Sequence, residues 1–190
     1  DTEPGTNPGH LYQQNTLRDA FVASLSFDIF HKYTDRLKMA NIAQIVNVLQ
    51  SMILTSGKNM VLTPTYYVFK MYNVHQDATY IPLELNCDMM DVRDNRRIPM
   101  VSATASKDPN GKIHISNVDA DNAQEVTINL SGTKAKKAVG EILTSTNLTD
   151  YNSFENPDNV KPVPFKEVKI NKDILKIKLP AKSIVTIELQ

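Results

Sequence analysis

The chain has 190 residues, of which 41% are hydrophobic and 22% are charged; this composition is typical of a globular protein and excludes an intrinsically disordered one. Its 21 Lys and Arg residues equal its 21 Asp and Glu residues, so no basic excess indicates a nucleic-acid partner. Cys87 is the single cysteine, which excludes an internal disulfide framework and a cysteine-rich metal cluster. No apolar run approaches the roughly 20 residues that cross a bilayer, and we expect no membrane partner.

Residues 1–14 lack an initiator Met, a basic start and the apolar core of a signal peptide. They are rich in Pro, Gly and Asn, which predicts a loop. We therefore expect this chain to be a piece of a longer protein, whose chemistry lies at least partly elsewhere. The cellular compartment cannot be read from such a sequence.

A helix is predicted next, over residues 16–36. Asn15 is a suitable N-cap, because its side-chain oxygen can accept a hydrogen bond from an unpaired N–H group of the first turn. An apolar stripe recurs every four residues and is widened by further apolar positions: Leu17, Phe21, Leu25 and Ile29, then Val22, Phe27 and Phe30. We expect such a helix to be covered over much of its circumference and to pack on a sheet inside a larger body.

Residues 37–44 are mostly apolar and follow this helix after a brief turn. The order helix, turn, strand is typical of a parallel α/β architecture, so we predict a strand here. In a barrel of this kind, Asn41 and Gln44 lie toward the carboxyl end of the strand, where binding residues collect. Position alone leaves the alternative that Gln44 only bonds local backbone groups at the strand end.

A loop with a turn at residues 57–59 is predicted over residues 46–62, and a second helix follows it. Thr63 is a good N-cap and Pro64 suits the first helical position, where its missing N–H costs nothing. Aromatic and apolar residues then recur at helical spacing to about residue 76: Tyr66, Val68, Phe69, Tyr72 and His75. We expect this stripe to be core rather than a platform for stacking sugars.

From residue 79 onward, short runs with a period of two predict about seven strands joined by marked turns. They lie near residues 80–85, 100–106, 112–118, 125–130, 135–143, 165–170 with 174–179, and 183–189, and one of the turns is at residues 108–111. Strands at this spacing without helices between them favour an antiparallel β-sandwich or jelly roll. Residues 145–164 are too polar for a strand, and we expect them to wrap the edge of the sandwich.

Motifs for cofactor or metal chemistry are sparse. No nucleotide-binding fingerprint or nucleophile elbow occurs, and we expect no cofactor. The four histidines are scattered and are expected to be isolated, structural or surface residues: His10, His31, His75 and His114. Two aspartate groups leave a calcium site open as a minor alternative to solvated loop charges, although neither has EF-hand spacing: Asp88, Asp91 and Asp94, and Asp119 and Asp121.

A pair of carboxylates for glycoside hydrolysis cannot be picked out. Such a pair stands about 5–5.5 Å apart for retention or about 6.5–9.5 Å apart for inversion, in a cleft on rigid elements. The glutamates of the predicted β region lie in scattered strand and loop contexts. By its residues alone, the chain is interpreted as a non-catalytic piece.

Several blocks of this sequence resemble the C-terminal region of glycoside hydrolase family 51 α-L-arabinofuranosidases. The most specific are NIAQIVNVLQSMILT at residues 41–55 and LTPTYYVFKMYNVHQDA at residues 62–78. NTLRDAFVASLSFDIFHKYTDR at residues 15–36 and the loop at residues 152–162 match as well, and LPAKSIVTIEL at the end is similar to the family's last strand. The resemblance covers nearly the whole chain.

The resemblance implies a mainly β fold: an antiparallel β-sandwich (jelly roll) preceded by the last helix–strand–helix elements of a (β/α)8 barrel. Residues 1–78 would be these barrel elements, and residues 79–190 the accessory sandwich. The parent would be a retaining enzyme that releases terminal α-L-arabinofuranose from arabinan, arabinoxylan or their oligosaccharides. Both catalytic glutamates of the family lie upstream, so no catalytic residue is expected here, and the fragment would be inactive and structural. Homo-oligomerisation is left open.

One binding position carries over from the family. Gln44 ends the block N-I-A-Q, and the corresponding family residue hydrogen-bonds the arabinose where cleavage occurs. An amide offers a donor and an acceptor, which suits a sugar hydroxyl. Asn47 is close enough to line the same pocket.

The alternative from another class is an independent carbohydrate-binding β-sandwich. Such a module requires exposed aromatic side chains on a sheet face or in a loop cluster. The region after residue 79 supplies four: Tyr80, Tyr151, Phe154 and Phe165.

Overall fold

The computed structural model describes residues 15–49, 51–107, 112–117, 119–130 and 135–190. The loop predicted at residues 1–14 and the turn predicted at residues 108–111 lie outside these ranges. Within the described residues the fold is mainly β, as predicted, with two α-helices, α1 (Leu17–His31) and α2 (Pro64–Tyr72). Neither helix is long and apolar enough to cross a membrane.

Nine strands form two antiparallel sheets that share one apolar core. The larger sheet has the order β10-β9-β13-β7-β6-β3, with β3 (Thr79–Ile81), β6 (Val101–Lys107), β7 (Lys112–Asn117), β9 (Ala138–Thr144), β10 (Val163–Phe165) and β13 (Ser183–Leu189). The smaller has the order β11-β12-β8, with β8 (Gln124–Asn129), β11 (Val168–Asn171) and β12 (Ile174–Leu179). Their facing side chains form the core: Val101, Ala105, Leu130, Ile142, Phe165, Leu175, Ile177, Leu179, Val185, Ile187 and Leu189.

The two helices cover the other face of the larger sheet. Successive side chains of a strand point to opposite faces, so Val185 and Ile187 of β13 enter the core between the sheets whereas Ile184 meets the helices. A second cluster of buried residues results: Leu17, Ala20, Phe21, Tyr67, Val68, Met71, Tyr72, Leu143, Val160 and Ile184. The larger sheet is therefore covered on both faces.

The buried side of α1 agrees with the predicted stripe only in its first half. Leu17 and Phe21 are buried, but so are Ser24 and Asp28, whereas Ile29 at the end of the stripe is 54% exposed. Val22 and Phe30, expected to widen the covered surface, are also exposed. The expectation of coverage over much of the circumference is wrong for this chain, because the sheet packs on one side of α1 only.

No strand forms over residues 37–44, so that prediction is wrong for this chain. A strand requires a neighbour that pairs with its backbone, and no described segment pairs with these residues. Most of the segment is exposed, including Leu37, Met39 and Gln44.

The region predicted as a loop over residues 46–62 contains a β-hairpin. Strand β1 (Ile53–Ser56) pairs with β2 (Asn59–Leu62), and the register places Ser56 opposite Asn59. The two-residue turn holds Gly57 at φ +56°, a left-handed conformation that glycine adopts without steric cost. The predicted turn is therefore present, but its flanks are paired strands.

A second hairpin is a strand pair that the sequence interpretation omitted. Strand β4 (Met89–Val92) pairs with β5 (Arg96–Pro99). Both strands are mostly exposed.

The helix starts are close to those predicted. Thr16, not Asn15, is the N-cap of α1, and Asp19 Oδ2 accepts hydrogen bonds from the Thr16 N–H and hydroxyl groups. Asn15 instead points its Nδ2 toward Ser51 Oγ, at 3.4 Å. The prediction for α2 is confirmed, because Thr63 caps it and Pro64 opens it.

The polar segment between β9 and β10 joins the helices, the β1–β2 hairpin and the sheet. It contacts the start of α1 through the N–H groups of Leu17 and Arg18, which donate to Asp150 O and Leu148 O, both at 2.9 Å. Asn152 is buried; its Nδ2 donates to Leu62 O (2.8 Å) and Val160 O (2.9 Å), and its Oδ1 accepts from the Val160 N–H (2.7 Å). One side chain thus links β2 to this segment.

We predict that Asn152→Ala lowers the free energy of unfolding by about 2–3 kcal/mol, because it leaves two buried backbone groups of Val160 and the half-buried Leu62 O without their partner. Urea unfolding of the 190-residue chain measures this loss. Asn156→Ala is the matched control, since the Asn156 side chain is exposed and we expect a change within about 0.5 kcal/mol there. Equal losses in the two variants would contradict the role assigned to Asn152.

Candidate functional site

The segment that carries the predicted binding residues lies on the surface. Gln44 is exposed and its side chain forms no hydrogen bond with any described residue. The alternative in which Gln44 only bonds local backbone groups therefore finds no support in this geometry. Its carboxamide remains available as both donor and acceptor.

Asn47 is also exposed, but its side chain is engaged. Asn47 Oδ1 accepts a hydrogen bond from the Thr55 N–H (2.7 Å), and Asn47 Nδ2 donates to Thr55 Oγ1 (2.9 Å). The backbone at Asn47 has φ +57°, a left-handed conformation in which Asn is enriched among non-glycine residues. The structure thus places both predicted residues on one exposed segment, with different surroundings.

An apolar groove of about 180 Å³ lies beside this segment. The exposed side of α1, the start of α2 and residues 40–42 line it, with Val22, Phe30, Ile42 and Phe69 among the side chains. Thr65 also lines it; this residue is buried, and its Oγ1 has no hydrogen-bond partner among the described residues. A buried hydroxyl without a partner is rare in folded proteins.

Three of the five aspartates considered for calcium have other partners. Asp91 and Asp94 form exposed ion pairs with Arg97 (3.3 Å) and Arg96 (3.1 Å). Asp119 accepts hydrogen bonds from the N–H groups of Asp121 and Asn122, which hold the pKa of its carboxyl below its usual range. In the described part of the chain, no three His, Cys, Asp or Glu residues lie close enough to hold a metal ion.

A buried group of polar side chains joins the helices to the larger sheet, and we call it the helix–sheet polar network. Three alternate residues of β6 each form one hydrogen bond to the helical layer: Ser102 Oγ to Asp28 Oδ2 (2.5 Å), Thr104 Oγ1 with His31 Nδ1 (3.1 Å), and Ser106 Oγ with His75 Nδ1 (2.6 Å). Because alternate strand residues share one face, the three contacts form a ladder along the strand.

Tyr72 links the members of the network that come from the helices. Its hydroxyl donates to Asp28 Oδ1 (2.7 Å) and lies 2.9 Å from Ser24 Oγ. The rings of His31 and His75 meet edge to face with centroids 4.9 Å apart, and each also lies within 6 Å of the Tyr72 ring. The prediction that His31 and His75 are isolated is wrong, although both serve the structure. His10 and the side chain of His114 lie outside the described part.

Burial sets the titration of this network. Desolvation raises the pKa of Asp28 to about 6, against the hydrogen bonds from Ser102 and Tyr72 and the positive charge of Lys32, which lower it. Desolvation also lowers the pKa of His31. Asp28 is almost fully buried, so the network is suited to holding the helices on the sheet rather than to touching a substrate.

The sequence interpretation did not find the network, although a signal for it exists. Ser24, Asp28 and His31 follow one another at helical spacing on the face of α1 that begins with the buried Leu17 and Phe21. A carboxylate on an apolar helix face indicates a buried partner. The partners on β6 lie more than 70 residues away, which no local pattern reveals.

Comparison with known proteins places this chain in a family. The family model described as the alpha-L-arabinofuranosidase C-terminal domain matches residues 1–183. An intracellular exo-alpha-L-arabinofuranosidase of Bacteroides ovatus is 79% identical to this chain over 192 aligned positions, which cover 100% of the chain and 37% of the relative. The chain therefore spans little more than a third of that protein's length.

Solved structures agree with the match. The crystal structure of the GH51 arabinofuranosidase from Xanthomonas axonopodis pv. citri superposes with a TM-score of 0.94 at 46% identity, covering 98% of this chain and 38% of that one. The family 51 alpha-L-arabinofuranosidase AbfB from Bifidobacterium longum superposes with a TM-score of 0.87 at 24% identity, covering 100% of this chain and 38% of that one; at this identity the likeness shows the fold alone.

We predict that Asp28→Asn changes the pH dependence of stability. Between about pH 4 and about pH 6, Asp28 keeps its proton in the folded state but has lost it in the unfolded state. The free energy of unfolding therefore falls as the pH rises through this range, by at most about 3 kcal/mol for this group. The amide cannot ionise. We therefore expect the stability of the variant, relative to the unmodified chain, to increase from pH 4 to pH 7.

Urea unfolding at four pH values between 4 and 7 measures this difference. His31, whose lowered pKa makes stability rise with pH, contributes equally in both proteins and cancels in the difference. Asp91→Asn is the matched control, because the Asp91 side chain is 86% exposed. A difference for Asp28→Asn that stays constant across this pH range would contradict the prediction.

Proposed function

Because this chain belongs to the family of α-L-arabinofuranosidase C-terminal domains, we propose that it forms the C-terminal part of a retaining family 51 α-L-arabinofuranosidase. That enzyme releases terminal non-reducing α-L-arabinofuranosyl residues from arabinan, arabinoxylan or their oligosaccharides. The match over residues 1–183 carries the proposal. The intracellular relative from Bacteroides ovatus supports the same compartment for the full-length enzyme.

Within this enzyme, residues 1–78 form the last helix–strand–helix elements of a (β/α)8 barrel, and residues 79–190 form a jelly-roll sandwich. The catalytic glutamates come from barrel strands upstream, and the 190 residues themselves have a structural role. Three features support a missing neighbour at this surface: the exposed apolar side of α1, the unpaired residues 37–44 and the unpartnered hydroxyl of Thr65. Contiguous exposed apolar surface of this kind marks an interaction site, and an upstream barrel would cover it.

Gln44 is the residue of this chain that we assign to the sugar. It is exposed and its carboxamide is unengaged among the described residues, so it can both donate to and accept from arabinofuranosyl hydroxyl groups. Asn47 lies on the same segment and borders the same pocket. In the full-length enzyme, residues 37–44 gain strand neighbours, which fix Gln44 at the carboxyl end of the barrel.

An independent carbohydrate-binding module remains the second candidate, favoured by one observation. Tyr151 and Phe154 of the segment between β9 and β10 are each 37% exposed. Phe165, however, is buried in the core and Tyr80 is half-buried. Two partly exposed rings are a small supply for stacking sugars, and the enzyme-fragment function is the better supported.

We predict that the 190-residue chain alone does not hydrolyse an aryl α-L-arabinofuranoside. The same chain joined to the upstream part of the Bacteroides ovatus relative is expected to hydrolyse it, because the joined protein regains the catalytic glutamates. Release of the aryl group, followed by absorbance, measures both. Hydrolysis by the isolated chain, after exclusion of a contaminating enzyme, would show that the catalytic residues have been misplaced.

We predict that Gln44→Ala in the active, longer protein lowers kcat/KM by about 10- to 100-fold, the loss expected from removing one or two hydrogen bonds to the sugar. Gln76→Ala is the matched control, since Gln76 is exposed after α2 and we expect an unchanged kcat/KM. If both variants keep full activity, Gln44 does not contact the substrate.

A further inference from the structure

The segment that follows Gln44 is tied to the outer edge of β1 by its backbone. Ile45 O accepts hydrogen bonds from the N–H groups of Met52 (2.9 Å) and Ile53 (3.1 Å), and the Asn47 N–H donates to Ile53 O (3.1 Å). Val46 and Ile53 form a parallel bridge. The residues directly after Gln44 therefore behave as a short third strand on the side of β1 that faces away from β2.

Asn47 extends this pairing with its side chain. Bonded positions alternate along an antiparallel ladder, and the Thr55 N–H, two residues after Ile53, points away from β2 to Asn47 Oδ1 (2.7 Å). Asn47 Nδ2 returns a hydrogen bond to Thr55 Oγ1 (2.9 Å). The carboxamide thus supplies to Thr55 the acceptor that a neighbouring strand's backbone would supply.

The edge that receives these bonds is itself fixed to the interior. Ser51, directly before the hairpin, is fully buried; its carbonyl accepts from Thr63 Oγ1 (2.8 Å), the N-cap of α2. Leu54 of β1 is buried as well. Movement of the hairpin relative to α2 is therefore restricted. Because residues 45–47 are bonded to Ile53 and Thr55 of this hairpin, their movement is restricted as well.

Resting on the proposed function, we propose that Asn47 is a positioning residue for Gln44. By holding Thr55, Asn47 fixes the backbone of residues 45–47 and with it the direction in which the Gln44 carboxamide meets an arabinofuranosyl hydroxyl group. Its oxygen and its nitrogen are each bonded to Thr55, and we therefore assign its effect on the reaction to the position of Gln44. A displacement of about 1 Å at a substrate-binding group is enough to reduce the rate substantially.

The test uses Asn47→Gly in the full-length enzyme, since glycine keeps the left-handed backbone and removes only the side chain. Asn95→Gly is the matched control, because Asn95 is also exposed and has φ +54°. We expect Asn47→Gly to lower kcat/KM on an aryl α-L-arabinofuranoside by about tenfold, but by less than twofold when Gln44→Ala is already present, because coupled residues are not additive. Asn95→Gly is expected to leave kcat/KM unchanged.

Two further measurements probe the same contact. Thr55→Val removes the acceptor for Asn47 Nδ2 and is expected to lower kcat/KM, whereas Thr55→Ser keeps the hydroxyl and is expected to preserve it. In the 190-residue chain, amide exchange at Thr55 is expected to accelerate in Asn47→Gly, because that N–H loses its acceptor.

The outcomes separate the two proposals. An active enzyme in which Asn47→Gly has the same effect with and without Gln44, or in which Thr55→Val has no effect, would overturn the positioning role alone. An unmodified full-length enzyme without activity on α-L-arabinofuranosides would overturn the proposed function and this role with it, whatever the exchange at Thr55.

Discussion

The structure depends on one constraint: the larger sheet is buried on both faces. Strand β13 shows this most directly, since six of its seven residues are buried. Val185 and Ile187 complete the core against the smaller sheet, whereas Ile184 completes the cluster beneath α1 and α2. A sheet covered twice requires two apolar partners, and the helices supply the second. Their packing on the sheet explains how residues assigned to a barrel and residues assigned to a sandwich share one buried cluster.

Polar contacts add direction to this apolar packing. The helix–sheet polar network places Asp28, His31 and His75 opposite alternate residues of β6, each pair at one step of the strand. Apolar contacts alone tolerate sliding of a helix along a sheet, because they are not directional. If the helices shifted along β6 by one residue, their polar side chains would lie opposite residues whose side chains point to the other face, and buried polar atoms would be left unpaired. The raised pKa of Asp28 reflects the unfavourable free energy of removing its carboxylate from water in this arrangement.

Local patterns predicted several of the elements whose partners lie within this chain, although not the two short hairpins. The period of two in β8 and β12 and the Thr63–Pro64 start of α2 were sufficient, because burial on one face and a capped first turn leave local signatures. The β1–β2 hairpin was missed except for its turn, since its strands do not alternate cleanly and β1 also pairs with residues 45–47. The strand at residues 37–44 was predicted from its apolar character, but a strand needs a paired neighbour, and the described part of the chain contains none for this segment.

At the candidate site, too, a short block of sequence identified one residue, whereas the contacts with residues farther along the chain were not predicted. Gln44 was identified from a resemblance over a short block, because a single exposed amide leaves no pattern of its own. What holds it in place could not be read from the sequence: the contact from Asn47 to Thr55 spans eight residues, and the anchor of that hairpin runs through Ser51 to the cap of α2. The residue that we propose to bind the sugar lies at the end of a segment without strand partners, next to residues 45–47, which are bonded to the hairpin. The hairpin is in turn held by the hydrogen bond between Ser51 and the cap of α2, and α2 packs on the larger sheet. The position of the backbone beside Gln44 therefore depends on packing in the core.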